Sequence, residues 1–179
     1  MRIAIYDIMP RQSIESMRPQ DIVVLLKLST DLERNWTQIE LARELFMSQS
    51  EISQSLARSN YAGLIMTDQT LHQQALLDFL QYGLAYVYPQ RPGPVIRGIS
   101  TAHSTLPLSE EIMSEEKYVW PYAKGNVRGR SIKPLYPSVV EAVQIDTKLH
   151  QLLALTDALR IGRAREKNLA LYYLKKRLC

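Results

Sequence analysis

Five side chains whose chemistry suits contact with nucleic-acid bases lie close together in this sequence. Glutamine can form two hydrogen bonds to adenine, serine can donate or accept one, and the alanine methyl group can contact the thymine methyl group. If the stretch is a helix in a DNA major groove, its first turns and its outward face would meet base edges. The five side chains are Gln49, Ser50, Ser53, Gln54 and Ala57.

Basic side chains around this stretch could contact phosphate groups or the minor groove, contacts that fix the register of a protein on DNA without reading its sequence. Each is explained equally well as an ordinary surface charge. Four arginines, together with three polar residues that lie near the starts of predicted helices, complete the predicted DNA-binding set. These seven residues are Thr37, Gln38, Arg43, Ser48, Arg58, Arg91 and Arg97.

Two short helices with clear starting points must position these side chains. Thr37 and Ser48 are each followed three residues later by glutamate, Glu40 and Glu51. This is the capping box, in which the hydroxyl and the carboxylate satisfy backbone N–H groups of the first turn. Glu51 could accept a hydrogen bond from cytosine, but the capping role is favoured. The boxes leave about three residues for a turn, which predicts a helix-turn-helix.

The apolar residues of the two helices fit this interpretation. Leu41 and Leu45 should face the core, and Ile52 and Leu56 should return from the later helix to pack against them, with the small Ala42 at the crossing.

Further elements are predicted on both sides. Pro19 suits the first turn of an earlier helix, and another capping box at Thr70 opens a helix that Gly83 should end. Runs of β-prone residues predict a hairpin with a basic tip in residues 84–99 and a second hairpin in residues 118–132. A capping box at Ser138 predicts one helix, and residues 148–159 and 163–178 are predicted helical on either side of Gly162.

Residues 38–56 resemble the helix-turn-helix of bacterial regulators, and residues 18–99 resemble the winged-helix arrangement of the MarR-type families. The resemblance implies a DNA-binding domain in residues 1–99 and a dimerisation or partner-binding region in residues 100–179. The expected fold is mainly α with small β-hairpins, a winged helix-turn-helix half followed by a mixed α/β half that ends in helices. One departure is Phe46, which occupies the turn position usually filled by glycine.

Three hypotheses compete at this point. In the first, the protein is a DNA-binding regulator, a dimeric repressor acting on double-stranded DNA. In the second, it is an antitoxin-like protein that binds a partner through apolar and basic residues 155–166 and regulates its own operon. In the third, it is a small-molecule sensor whose pocket is lined by Tyr82, Tyr86, Tyr88, Tyr118, Trp120 and Tyr122. The proposed homodimer would form through Leu149, Leu152, Leu153, Leu155, Leu159, Leu169, Leu171, Tyr172 and Leu174.

Composition argues against other classes. The three histidines lack metal-ligand spacing, and the only cysteine is Cys179, so we expect no metal, no cofactor and no enzymatic activity. No stretch resembles a signal peptide or a membrane span, which predicts a soluble, cytoplasmic protein. The formal net charge is +4. Residues 160–179 carry seven basic side chains and one acidic side chain, a distribution that suits a polyanionic or acidic partner.

Overall fold

The computed structural model describes residues 16–178 as a mixed α/β fold dominated by helices. The predicted fold class is confirmed in this coarser form. The helices are α1 (Pro19–Ser29), α2 (Gln38–Leu45), α3 (Gln49–Tyr61), α4 (Gln73–Asp78), a π-helical turn (Phe79–Gly83), α5 (Leu84–Val87), a 3₁₀ turn (Ala102–Ser104), α6 (Leu108–Glu111), α7 (Val139–Ile145), α8 (Thr147–Ile161) and α9 (Ala164–Leu178). The strands are β1 (Val95–Ser100), β2 (Tyr118–Pro121) and β3 (Val127–Ser131).

Helix α1 lies at the centre of the N-terminal half. Residues 22–26 are completely buried, and Leu41, Leu45 and Ile52 from α2 and α3 belong to the same core. The predicted apolar packing of these helices is therefore confirmed. The buried Lys27 near the end of α1 pairs with Glu44 at 2.7 Å and with Asp146 at 2.5 Å. Because Asp146 precedes α8, this lysine ties the N-terminal helices to the C-terminal half.

The helix predicted after α3 begins and ends elsewhere. Thr70 does not cap it, because its hydroxyl donates to Asp68 at 2.6 Å, and the helix starts at Gln73. Gly83 does not end it. The chain passes through a π-helical turn, in which the Leu84 N–H reaches back to the Phe79 carbonyl, and continues as α5. A side chain at Gly83 would lie 3.0 Å from the Phe79 ring, so glycine permits the close approach.

Neither predicted hairpin forms. Residues 84–87 are helical, and β1 pairs with β2 and β3, both antiparallel, instead of with a strand before it. β2 and β3 are parallel to each other and close a three-stranded barrel with β1. Gly98 pairs with Pro121 and with Val127, and a Cβ atom on Gly98 would lie 1.9 Å from the Trp120 carbonyl oxygen. The missing side chain explains the tight crossing that replaces a hairpin.

The C-terminal helices lie near their predicted positions, with one different cap. The Ser138 hydroxyl does not cap α7 but donates to the Leu45 carbonyl at the end of α2, at 2.6 Å. Asp146 caps α8 by accepting the Leu149 N–H at 2.9 Å. Gly162 separates α8 from α9, as predicted.

The apolar residues of helix α8 are buried within one copy of the chain. Leu149, Leu152, Leu153, Leu155 and Leu159 are all buried in the cluster that also contains α1 and α2. These leucines cannot form the predicted dimer surface. The predicted partner surface over residues 155–166 does not form as expected, because Leu155, Ala158 and Leu159 of this segment are buried in the same core. In α9, Leu174 is also buried, whereas Tyr172 is exposed. The predicted boundary at residue 99 falls inside β1.

The six aromatic side chains of the predicted sensor pocket do not gather in one place. Tyr82 and Tyr86 are exposed on the π-helical turn and α5. Trp120 is buried and donates to Asp157 at 2.6 Å, while the Tyr88 hydroxyl donates to the Met17 carbonyl at 2.7 Å. The sensor hypothesis in this form is therefore wrong.

Candidate nucleic-acid interface

The start of α2 is fixed by the predicted capping box. The Thr37 hydroxyl accepts the Glu40 N–H at 3.2 Å, and the Glu40 carboxylate accepts the Thr37 N–H at 2.9 Å. Arg34 also donates to Glu40 at 2.9 Å and stacks on the Trp36 ring. Its hydrogen bond, followed by those of Thr37, lowers the pKa of Glu40 to about 2. The carboxylate is therefore ionised at neutral pH, as the cap requires.

The start of α3 has the same arrangement with one further partner. The Ser48 hydroxyl accepts the Glu51 N–H at 3.2 Å, and one Glu51 oxygen accepts the Ser48 N–H at 2.8 Å. The other oxygen accepts the Tyr136 hydroxyl, which is the main cause of the lowered pKa of Glu51. Both oxygens are occupied, so the structure supports the capping role of Glu51 over base reading. Tyr136, which the sequence analysis missed, links the start of α3 to the C-terminal half.

The turn between α2 and α3 is short, with Phe46, Met47 and Ser48 between the two helices. Phe46 has φ 54° and ψ 42°, the left-handed conformation in which glycine is usual. A non-glycine residue costs on the order of 1 kcal/mol there. The Met47 N–H donates to the Ala42 carbonyl at 3.0 Å, and the Met47 side chain is buried. The turn therefore keeps its tight shape despite the phenylalanine.

The outward face of α3 carries all five predicted base-contacting side chains, Gln49, Ser50, Ser53, Gln54 and Ala57, and each is exposed. Gln54 donates to the Ser50 hydroxyl at 3.3 Å, a weak contact that a ligand could replace. The inward face of the helix is buried. The helix therefore has one fixed face and one polar, uncharged face in solvent.

Arg58 does not belong to this face. Its side chain is buried between α3 and α1, and its guanidinium donates to both carboxylate oxygens of Asp21, at 2.7 and 2.9 Å. Asp21 is completely buried. A residue held in this way cannot reach DNA outside the fold, so the prediction of a phosphate or minor-groove contact for Arg58 is wrong.

Arg91 and Arg97 are exposed but do not lie on a wing beside α3. Arg91 is in the loop before β1, and Arg97 is on β1 within the barrel. The prediction placed them on a hairpin of residues 84–99, which does not form because residues 84–87 are helical.

The remaining predicted residues are at the surface near the two helix starts. Thr37 and Ser48 are exposed, although their hydroxyl groups are engaged in the caps. The Arg43 side chain is 71% exposed and lies 3.8 Å from Glu44. Gln38 is exposed in the first turn of α2. Every residue of the predicted DNA-binding set except Arg58 is therefore accessible to a ligand.

A small hairpin that the sequence analysis missed follows α3 directly. Gly63, at φ +74°, ends α3, and the chain then pairs Ile65 with Leu71 across a turn at Asp68 and Gln69. The Met66 N–H donates to the Thr70 carbonyl at 2.8 Å. The Thr-Asp-Gln-Thr run between apolar residues could have indicated this turn, but the same threonine resembled a helix cap.

The hairpin, α2 and α3 line an open groove of about 470 Å³. Ser53, Ala57 and Asn60 of α3 form one wall, and Thr67 and Gln69 of the hairpin form another. Apolar side chains that include Leu28 and Trp36 also line it. The groove extends the polar face of α3 toward the hairpin.

Comparisons of the chain with protein-family models, curated proteins and solved structures gave no match. The likeness to MarR-type regulators therefore remains a prediction from the sequence. Among residues 16–178, no helix is both long and apolar enough to span a membrane. The same residues contain no cluster of three or more histidine, cysteine or acidic side chains suited to a metal ion.

Proposed function

We propose that this protein is a sequence-specific DNA-binding transcriptional regulator that reads the major groove with α3. The observation that carries the proposal is the difference between the buried inner face and the exposed outer face of this helix. Its inner face and its first turn are held by the core, the Ser48 cap and Tyr136, while its outer face presents five exposed side chains. A rigid helix with a polar, accessible face is what direct base reading requires.

The order of elements supports a winged helix-turn-helix. Helices α1, α2 and α3 are followed at once by the hairpin of residues 64–72, the position that a wing occupies in that arrangement. In this proposal the wing is this short hairpin and not the segment of residues 84–99. The exposed Thr67 and Gln69 lie near its tip and across the groove from Ser53.

The reading face carries no charge, so a single copy should bind DNA weakly. A homodimer that places two copies of α3 about one DNA turn apart would raise both affinity and specificity. Helix α8 cannot provide the dimer contact, because its leucines are buried. We keep a dimeric repressor acting in the cytoplasm as part of the proposal, and its dimer contact must then lie on a surface other than α8.

The test is selection of DNA fragments from a random duplex library, followed by titration with the selected site. Gln54→Ala should weaken binding to the selected site by about 5- to 150-fold, the value of one well-formed glutamine–adenine pair. Gln74→Ala, which removes another exposed helical glutamine on α4, should leave binding unchanged. Failure to enrich any sequence, together with equal affinities for the two variants, would contradict the proposal.

The antitoxin-like alternative is less well supported. It depended on a docking surface in residues 155–166, and the structure places Leu155, Ala158 and Leu159 of that segment in the core.

A further inference from the structure

Two arginines lie side by side on neighbouring strands at the surface of the barrel. Arg97 on β1 and Arg128 on β3 are directly paired in the antiparallel register, and both are exposed. Within residues 16–178, neither side chain has a hydrogen-bond or ion-pair partner. Like charges directly opposite each other on neighbouring strands are destabilising. The fold therefore carries an unfavourable pair that no interaction inside the described chain compensates.

Other arginines of this fold do have ion-pair and hydrogen-bond partners. Arg130, two residues along β3, pairs with Glu116 at 3.3 Å and donates to the Pro92 carbonyl at 2.9 Å. The buried Arg160 pairs with Asp157 at 2.7 Å. Arg97 and Arg128 differ from these residues because their guanidinium groups point to solvent without a carboxylate.

The backbone beneath the pair is closely packed. Arg97 is followed by Gly98 and Arg128 by Gly129, and a Cβ atom on Gly129 would lie 2.5 Å from the Lys117 carbonyl oxygen. At Gly98 the corresponding distance to the Trp120 carbonyl oxygen is 1.9 Å. Both glycines thus pack closely against the chain at β2, and the backbone pairing of β1 with β3 places Arg97 directly opposite Arg128. A planar guanidinium binds phosphate through two parallel hydrogen bonds, and two of them side by side form a site for phosphate oxygens.

We propose that Arg97 and Arg128, the barrel arginine pair, bind phosphate groups of the duplex DNA backbone. The identity of the ligand as duplex DNA rests on the proposed function, whereas the pair itself is independent of α3. The site supplies positive charge that the reading face of α3 lacks. Because backbone contacts carry no sequence information, the pair should strengthen binding to all sequences equally.

The first test is the salt dependence of DNA binding. Two lost phosphate contacts should reduce the slope of log affinity against log salt by about 1.8, since each contributes about 0.9. The variant Arg97→Ala/Arg128→Ala should show this reduction on the selected site and on unrelated duplexes alike. The control Lys133→Ala/Lys148→Ala removes the same charge at exposed positions after β3 and in the first turn of α8, and it should change the slope less. An unchanged slope, or an equal reduction in both variants, would overturn the proposal.

The second test separates binding from folding. Arg128→Glu places a carboxylate opposite Arg97, so its melting temperature should equal or exceed that of the unmodified protein, while its DNA affinity should fall below that of Arg128→Ala. Unchanged DNA affinity in the glutamate variant would overturn the proposal, as would preference of the pair for single-stranded RNA over duplex DNA.

The two proposals can fail separately. If Gln54→Ala leaves sequence preference intact while Arg97→Ala/Arg128→Ala shows the reduced salt slope, base reading by α3 is wrong and the phosphate site stands. The reverse result removes the phosphate site and keeps the reading helix.

Discussion

Loss of Arg58 should destabilise the fold, because this residue neutralises a buried carboxylate. Asp21 is completely buried, Arg58 is 5% exposed, and two hydrogen bonds of 2.7 and 2.9 Å join them. Asp21 also accepts the Arg18 N–H at 2.7 Å at the start of α1. Arg58→Met fills similar space but leaves the carboxylate without its guanidinium. Breaking a buried pair in this way costs about 3–5 kcal/mol.

Urea unfolding followed by circular dichroism measures this loss. Replacement of both partners, Asp21→Asn/Arg58→Met, removes the buried charge and keeps an oxygen for the Arg18 N–H. The double variant should therefore be more stable than Arg58→Met alone, because a buried pair replaced on both sides is often close to neutral. Arg43→Met is the control, since its side chain is 71% exposed, and it should change stability by less than about 0.5 kcal/mol.

Two results would refute this reasoning. One is a loss of less than about 1 kcal/mol in Arg58→Met, well below the range for a broken buried pair. The other is a double variant no more stable than the single variant. DNA binding gives a separate check on folded protein. If Arg58→Met weakened DNA binding without changing stability, Arg58 would contact phosphate after all.

Three further predictions concern the helix caps, the turn and the barrel. The lowered pKa of Glu51, caused first by the Tyr136 hydroxyl, means that its stabilisation is complete above its usual pKa of 4.5 and is lost as the pH falls through the lower folded value. Glu51→Gln should therefore lower the melting temperature at neutral pH and flatten its decline on acidification, and an unchanged acid decline would contradict this. Phe46→Gly should be more stable than Phe46→Ala by about 1 kcal/mol, or about 2–4 °C in melting temperature, because alanine keeps the left-handed strain; equal melting temperatures would show that the turn is not strained. Gly98→Ala should prevent barrel closure, whereas Gly63→Ala, with no atom within 4 Å of its new Cβ, should cost only about 1–2 kcal/mol of backbone strain; similar melting temperatures for the two would be inconsistent with the tight crossing.

The starts of α2 and α3 could be predicted because each depends on residues close in sequence. Thr37 and Ser48 bond to groups three residues away, and the structure has both boxes as the pattern indicates. The spacing of Ile52, Ser55 and Ser59 also fixes which side of α3 is buried. Arg58 lies on the same side of α3, and Asp21, which is the only acidic residue of α1, was the available sign of its partner.

The barrel could not be predicted in the same way because its pairings join distant residues. Residues 95–100 have a β-prone composition that suits either a preceding or a following partner, and the choice depends on the close packing at Gly98. Helix α8 offered a clearer sign. Its apolar residues Leu149, Leu152, Leu153 and Leu155 spread around more than one face, which is typical of a buried helix and unlike the narrow stripe of a dimer contact.

The use of positive charge connects the fold to the proposed function. Lys27, Arg58 and Arg160 are buried and paired with carboxylates, so they stabilise the fold and leave little charge outside. Base reading by α3 would be uncharged and specific but weak. Unpaired surface cations such as Arg97 and Arg128 must then supply affinity, and affinity of that origin falls steeply with salt. The same division explains why sequence preference and salt dependence should respond to different substitutions: α3 lies in the helical half and the arginine pair in the barrel, and no described residue belongs to both.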